Sequence, residues 1–305
     1  MKTTLTRTGN RMPIKSSKGV PRITATSDPT RYVIACVSDI HAGGTTALAP
    51  ERIALDDGGE YVASKAQRWL WECWENTWKR VEEVRREKPC KFFAIFNGDL
   101  VDGYHHGTTE IISANPNPQA AVVNAALAIP LGMQPDHIVV VRGTEAHVGK
   151  SASAEERIAD GLRRDRRPVI IDPDTKTSSW WHFRAELGGV LIDVTHHGRT
   201  GQREHTRGSA AVLHAHDILL AHAKSGDRHP DLCLRGHHHK FNDSGDSCPV
   251  RVVTSGAYQL GTSYVKKIAA DSMADIGGLV VVIENGKANV EKVQFKPNRG
   301  AVWRP

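Results

Sequence analysis

Short runs of apolar residues, rich in β-branched side chains, recur along the chain from residue 32 to residue 295. Runs of this length, bounded by turn residues, are typical of buried strands. Gly188-Gly189 and Asn285-Gly286 are two-residue turn signals and predict two hairpins. The predicted strands are 32–37, 91–96, 137–141, 180–187, 190–194, 231–234, 250–254, 279–283 and 289–295.

Other segments repeat their apolar residues at spacings of three and four, which is the helical period. The clearest is 64–87, where Leu70, Cys73 and Val81 lie on one face and Ser64 is the predicted N-cap. Shorter helices are predicted at 119–129, 154–163 and 209–222. Strands that alternate with helices, together with hairpins, predict an α/β protein with mixed sheets and helices outside them.

Five of the apolar strands are each followed by a polar cluster. These clusters are 38–41, 97–102, 142–147, 195–198 and 235–239, and they contain Asp, Glu and His. Ligand sites in open α/β sheets lie beyond the carboxyl ends of the strands. If the five strands share a sheet, their carboxylates and imidazoles therefore converge on one rim.

Carboxylates and imidazoles that are crowded together repel or desolvate one another. Divalent cations remove this conflict, because they neutralise the acids and bind the nitrogen lone pairs. Side chains alternate along a strand, so Asp39 with His41 and His237 with His239 can each offer two ligands from one segment. Oxygen and nitrogen ligands without thiolate suit manganese, iron, zinc or nickel. The number of ligands exceeds the need of one ion and favours two metals bridged by a carboxylate.

The order of these motifs resembles that of the calcineurin-like metallophosphoesterases. That family has D-x-H, G-D-x-x-D, G-N-H-(D/E), a histidine after a strand and G-H-x-H. The matching residues here are Asp39 and His41; Gly98, Asp99 and Asp102; Gly143 in an altered third motif; His196 or His197; and Gly236, His237 and His239. The resemblance covers about residues 32–260. It implies an αββα sandwich of two mixed sheets flanked by helices, with a dinuclear metal site at the carboxyl ends of the strands.

The resemblance also implies roles for individual residues. Asp39, His41 and His239 would hold the first metal, Asp99 would bridge the two ions, and His196 and His237 would hold the second. The choice between His196 and His197 stays open. Manganese is the expected metal, with iron, zinc, nickel and magnesium as alternatives.

The third motif departs from the family pattern, because Thr144 stands where the family has a ligating Asn. We expect Glu145 to supply the missing ligand and His147 to donate a proton to the leaving group, oriented by Asp102. The alternative is that Glu145 caps the next helix and His147 is an ordinary loop residue. Two further residues, Arg142 and His105, are predicted to contact the substrate.

The implied activity is metal-dependent hydrolysis of phosphate monoesters or diesters by a hydroxide that bridges the two ions. One alternative is a nuclease of the same family. A second alternative is a catalytically inactive relative that uses the fold as an interaction scaffold. The motifs do not identify the substrate.

The chain has 305 residues and a formal net charge of +6. Residues 1–31 contain seven basic residues and one acid, so the rest of the chain is balanced. We therefore predict a basic, flexible tail at 1–30 and a single domain at 31–305. The tail is expected to be solvated, although it could contact nucleic acid.

The cysteine content and the lengths of the apolar runs indicate the compartment. The five cysteines are an odd number without close pairs, which is typical of reduced cysteines in the cytosol. The apolar runs are only strand-sized and the N-terminus lacks a secretion signal. We expect a cytoplasmic protein without a membrane segment. The oligomeric state stays open.

Overall fold

The computed structural model describes residues 31–199, 201, 204–298 and 302–304, and within them it contains two five-stranded sheets. The strands of the first sheet lie in the order β12 (Lys287–Phe295), β11 (Ile276–Glu284), β1 (Arg31–Val37), β4 (Lys91–Asn97) and β5 (His137–Val141). The strands of the second sheet lie in the order β6 (Phe183–Leu187), β7 (Val190–Val194), β8 (Leu232–Arg235), β10 (Arg251–Thr254) and β9 (Asn242–Asp243). A separate hairpin is formed by β2 (Arg52–Ala54) and β3 (Glu60–Val62).

Both sheets are mixed. In the first, β1, β4 and β5 are parallel, while β11 and β12 are antiparallel additions at one side. In the second, β7, β8 and β10 are parallel, with an antiparallel strand at each edge. The carboxyl ends of three neighbouring strands therefore meet at one edge of each sheet.

The four predicted helices are present, each starting within three residues of its predicted start, and two short helices are added. They are α1 (Lys65–Arg86), α2 (Pro116–Gly132), α3 (Glu145–Val148), α4 (Ser153–Arg164), α5 (Arg207–Ser225) and α6 (Ser263–Ile268). Ser64 caps α1 as predicted: its hydroxyl accepts from the Gln67 amide, and the Gln67 side chain accepts from the Ser64 amide.

Alternate residues of β1 contribute to two different cores. Val33, Ala35 and Val37 pack in the core that contains residues of α1, α2 and α4, whereas Ile34 and Cys36 pack in the core shared by the two sheets. Residues of α5 pack with the outer face of the second sheet. The layers are therefore helices, sheet, sheet and helix, which confirms the predicted αββα sandwich.

The predicted strand 180–187 starts later than expected, at Phe183. Trp180 instead exchanges backbone hydrogen bonds with the first sheet, donating to Val140 and accepting from Arg142. The chain crosses from the first sheet to the second at this point, so the continuous apolar run 180–187 pairs with both sheets. The hairpin β2–β3 lies between β1 and α1, where the sequence pattern predicts no strand.

The expectations for the cysteines, for membrane segments and for the N-terminal tail can be compared with the structure. The five cysteines are free thiols. No helix in the described part of the chain is both long enough and apolar enough to cross a membrane. The predicted tail, residues 1–30, lies outside the described residues.

Candidate metal centre

The two sheets bring their strand ends together at one edge of the sandwich. Within the described residues, four groups of three potential ligands have one atom each within 4.8 Å of one another. They are Asp39, His41 and His239; Asp39, Asp99 and His196; His196, His197 and His237; and His41, Asp102 and His147. Asp39 and Asp99 follow strands of the first sheet, while the histidines from His196 to His239 follow strands of the second sheet.

Asp39 is the carboxylate that two of these groups share. It is fully buried, and its Oδ1 atom has no hydrogen-bond partner among the described residues. Three imidazole Nε2 atoms surround this oxygen, at 3.3 Å for His239, 3.8 Å for His41 and 3.9 Å for His196. Such a buried, unpaired carboxylate oxygen is costly without a compensating cation. The donor set therefore fits a divalent metal.

The ring orientation of two histidines supports the same conclusion. His196 donates from Nδ1 to the Asn97 carbonyl at 2.7 Å, and its Nε2 lies 3.0 Å from Asp99 Oδ2. His41 donates from Nδ1 to Asp102 Oδ1 at 3.0 Å, and its Nε2 lies 3.1 Å from His239 Nε2. When Nδ1 is held by an oxygen, Nε2 is presented as the ligand, which is the usual arrangement at metal sites.

The pKa values show how the charges are balanced without a cation. Burial lowers the pKa of His41, but the hydrogen bond to Asp102 and the nearby carboxylate of Asp39 outweigh burial and raise the pKa to about 10. Burial is likewise outweighed at His196, where the charges of Asp99 and Asp39 raise the pKa to about 9. Burial raises the pKa values of Asp39 and Asp99, but the contacts with His196 and His41 outweigh burial and hold both pKa values below their usual range. Protons on the imidazoles thus occupy the electrostatic place that a metal would take.

Five candidate ligands have left-handed backbone conformations, which non-glycine residues rarely adopt. Their φ angles are 56° at Asp39, 48° at His41, 52° at Asp99, 74° at His237 and 51° at His239. Backbone strain of this kind clusters at functional sites, where the surrounding structure maintains it. Of the twelve non-glycine residues with this conformation in the described part of the chain, five are thus candidate ligands.

Two glycines allow the strand ends to approach one another. A Cβ atom on Gly98 would lie 2.3 Å from His196 Nδ1, and one on Gly143 would lie 2.3 Å from both the amide and Oδ1 of Asp99. No side chain fits at either position. The glycines of the second and third motifs are thus required by the packing of the candidate ligands themselves.

The altered third motif contacts the cluster through Thr144. Its amide donates to Asp99 Oδ1 at 2.6 Å. Its hydroxyl oxygen lies 3.1 Å from His237 Nδ1 and 3.3 Å from His197 Nε2. Thr144, which stands where the family has a ligating Asn, thus lies beside the histidines of the second sheet.

Glu145 is not in any of the groups that the described residues form. It is the first residue of α3, it is exposed, and its carboxylate accepts a hydrogen bond from the Ser151 amide at 2.9 Å. The predicted ligand role of Glu145 finds no support in this arrangement. The geometry favours the alternative, in which Glu145 stabilises the start of the following helical segment.

His147 lies beside the first group of ligands. Its Nδ1 donates to the backbone carbonyl of Asp102 at 3.0 Å and lies 3.5 Å from Asp102 Oδ1. Its ring packs edge-on against His41 and His105, with centroids 4.5 Å and 4.3 Å away. The main chain of Asp102 therefore orients His147, while the Asp102 carboxylate mainly orients His41.

The two predicted substrate-binding residues differ in their surroundings. His105 Nε2 lies 3.7 Å from Asp102 Oδ1, at the edge of the cluster. Arg142 is buried, and its guanidinium donates to Ser179 Oγ at 2.8 Å and to Glu156 Oε2 at 3.3 Å. Because these partners occupy Arg142, a substrate contact for it finds no support here.

Glu155 is a site residue that the sequence reasoning missed. It is fully buried, and its two carboxylate oxygens accept from the Gly143 amide at 2.5 Å and the Leu100 amide at 3.3 Å. Burial and then the charge of Asp99 raise its pKa to about 8. A signal was available: Glu155 lies four and seven residues before Ala159 and Leu162, on the buried face of α4.

The comparisons with known proteins give structural likeness only. No protein-family model matches the chain, and no curated protein matches it. Among solved structures, a hypothetical protein from Pyrococcus horikoshii OT3 is 11% identical with a TM-score of 0.42, covering 87% of this chain and 89% of its own. Vps29 from Chaetomium thermophilum is 11% identical with a TM-score of 0.39, covering 87% of this chain and 98% of its own. A dimetal phosphatase from Danio rerio is 9% identical with a TM-score of 0.36, covering 86% of this chain and 99% of its own. These values are too low to assign a function, which must come from the residues of this chain.

Proposed function

We propose that the protein is a dinuclear metal-dependent phosphoesterase. The observation that carries the proposal is the buried Asp39 carboxylate, whose Oδ1 lacks a hydrogen bond while three imidazole nitrogens surround it. Phosphate esters are anionic and resist attack by hydroxide, so their hydrolysis needs concentrated positive charge. Two divalent cations supply that charge when bound and lower the pKa of a coordinated water.

The residues divide into two ligand sets. Asp39, His41 and His239 would hold one ion. Asp99 and His196 would hold the second, with His237 and His197 beside them. A bridging carboxylate is part of the proposal, and Asp99 is the residue we assign to it. Oxygen and nitrogen ligands without thiolate fit manganese, with iron and zinc as the next candidates.

His147 has the position expected of a proton donor. The Asp102 carbonyl accepts the Nδ1–H of His147, so in the protonated, cationic ring the Nε2–H is the proton that can be given to the oxygen that leaves phosphorus. In the overall reaction water adds across one P–O bond: its oxygen stays on phosphorus, and the departing oxygen keeps a proton. His147 then regains its proton from solvent. Such a donor contributes on the order of 10²–10⁴ in rate.

The proposal is tested by a panel of substrates with and without metal. The purified chain, stripped of metal, would be assayed on an aryl phosphate monoester, an aryl phosphate diester and DNA, each with added manganese, zinc or magnesium. We expect hydrolysis of at least one ester only when metal is present. If metal binds but no ester is hydrolysed, the catalytically inactive scaffold replaces this proposal.

A further inference from the structure

A groove of about 930 Å³ begins beside the candidate metal centre and runs between α2 and α4. His147, Gly103 and Tyr104 line it near the centre. At the other end it is lined by Gly132, the last residue of α2, and by Arg167, beyond the end of α4. Both helices start at the centre, because Gln119 of α2 accepts from the Gly103 amide and α4 contributes Glu155. Twelve residues of α4 correspond to roughly 18 Å of helix, which gives the length of the groove.

The groove continues directly from the residue proposed to protonate the leaving group. His147 belongs to the ligand group with His41 and Asp102 and also lines the groove. A leaving oxygen that accepts the His147 proton must be attached to a group that extends away from the centre on this side. The groove is therefore the space available to the leaving group, and this step rests on the proposed function.

The side chains along the groove indicate what kind of leaving group it fits. Tyr104 is 62% exposed at the end near His147, where its ring is free to stack on a planar group. Asn117 and Asn124 offer amide groups, and Leu127 and Ile158 provide an apolar floor. Exposed aromatic rings beside a charged groove are the usual elements of single-strand nucleic-acid recognition.

Basic residues lie along α4 and beyond its end. Arg157, in the first half of α4, and Arg167, past its end, line the groove together with Asp165, and the segment 163–167 contains four arginines and one acid. Arginines near a helix carboxyl end also stabilise the helix dipole, but two of the four, Arg166 and Arg167, lie beyond the end of α4. A small ester would not reach them, whereas a polymer with a phosphate in every unit would.

We propose that this groove binds the leaving strand of a single-stranded nucleic acid, so that the phosphoesterase is a phosphodiesterase acting on polynucleotides. Tyr104 stacks on the base next to the cleaved phosphate. Arg157 and Arg167 bind phosphates further along the strand. Water is the only other reactant, as in the hydrolysis described above, and the released strand carries the protonated oxygen as a hydroxyl.

The first test reverses the charge at the far end of the groove. Arg166→Glu with Arg167→Glu, both beyond the end of α4, would be compared with the full chain on a single-stranded oligonucleotide and on a small aryl diester. We expect KM for the oligonucleotide to rise at least tenfold and its salt dependence to flatten. The rate on the aryl diester, whose leaving group does not reach these residues, should change less than twofold. Lys79→Glu with Lys287→Glu is the matched control, because it makes the same charge change at exposed lysines outside the groove.

A second variant blocks the groove without removing charge. Gly161 lines it, and a Cβ atom placed there meets nothing within 4 Å, so Gly161→Phe fits the fold and fills the groove. We expect the same selective rise in KM for the oligonucleotide. An unchanged KM in both variants, or an equal loss on both substrates, would overturn the inference. If the full chain hydrolyses the aryl diester with metal but not the oligonucleotide, the inference fails while the proposed function stands. If no ester is hydrolysed, the proposed function itself fails.

Discussion

The two ends of the parallel strands in this sandwich use acidic residues in opposite ways. At the carboxyl ends, Asp39 and Asp99 are buried, in left-handed backbone conformations, among imidazoles. At the amino ends of β4 and β5, Asp136 is only half-buried and pairs with Lys91 at 2.8 Å while accepting from the Phe92 amide at 2.8 Å. Paired charges near solvent cost little, whereas buried charges lose their hydration and cost stability even when they are paired. The difference indicates that the acids at the carboxyl ends of the strands are maintained for a bound cation, whereas the acid at the amino ends is maintained for folding.

The largest effect is expected at the carboxylate assigned to bridge the ions. Asp99→Asn keeps the shape but removes the negative charge, and an amide cannot bridge two cations. We expect metal affinity to fall at least about 100-fold, since loss of outer-shell partners alone costs 10–100-fold. Metal content after dialysis measures this. Two retained equivalents of metal would contradict the bridging role.

Removing the proton donor should damage rate and leave metal binding intact. We expect His147→Ala to keep its metal and to lose about 10²–10⁴ in rate on an ester with a poor leaving group. On a nitrophenyl ester, whose leaving group needs little protonation, the loss should be below tenfold. A plot of rate against leaving-group pKa for both proteins measures the difference. Equal losses on all esters would exclude His147 as the acid.

A matched pair of buried and half-buried acids tests the comparison between the two ends. Glu155→Met leaves the amides of Gly143 and Leu100 unpaired, and Asp136→Leu leaves the Phe92 amide unpaired. Each should lower the free energy of unfolding by about 1–3 kcal/mol. Only Glu155→Met should also weaken metal binding, by about tenfold, because the turn at Gly143 and Thr144 holds Asp99. Calorimetric melting and metal titration separate the two effects. Equal metal affinity in both variants would make Glu155 purely structural.

The smallest effect is expected from the N-terminal segment. Deleting residues 1–28 removes basic residues that account for most of the net charge of +6, without removing any candidate ligand. We expect turnover of a small aryl ester to stay within twofold of the full chain. Binding of a nucleic acid should weaken and depend less on salt. A large loss of turnover on the small ester would show that this segment is part of the catalytic domain.

The sequence pattern was sufficient for the layers of the fold. The run 137–141 is β5 at the same boundaries, and Ser64 caps α1, because apolar periodicity and capping are local properties. The predicted strand 180–187 started too early, because the residues of this run pair with two different sheets. The hairpin β2–β3 was missed, since strands of three residues are too short to show a period in the sequence.

The candidate site was predictable where ligands follow strands and was less so within the third motif. Asp39 and His41 directly follow a buried strand, so the fold alone brings them to the rim. The orientation of Glu145 depends on α3, a helix of four residues that no period predicts. The role of Glu155 depends on which backbone amides face α4, and this is a tertiary property.

The central claim is that the buried acids and imidazoles at the strand ends form a two-metal centre. Calorimetric titration of the metal-free full chain with manganese, combined with elemental analysis of the saturated protein, tests this most directly. We predict that each chain binds two equivalents of metal and that the melting temperature rises. Protons should be released, because the imidazoles lose them when they coordinate the metal. Absence of saturable binding, with a melting temperature that manganese, zinc and iron leave unchanged, would contradict the account.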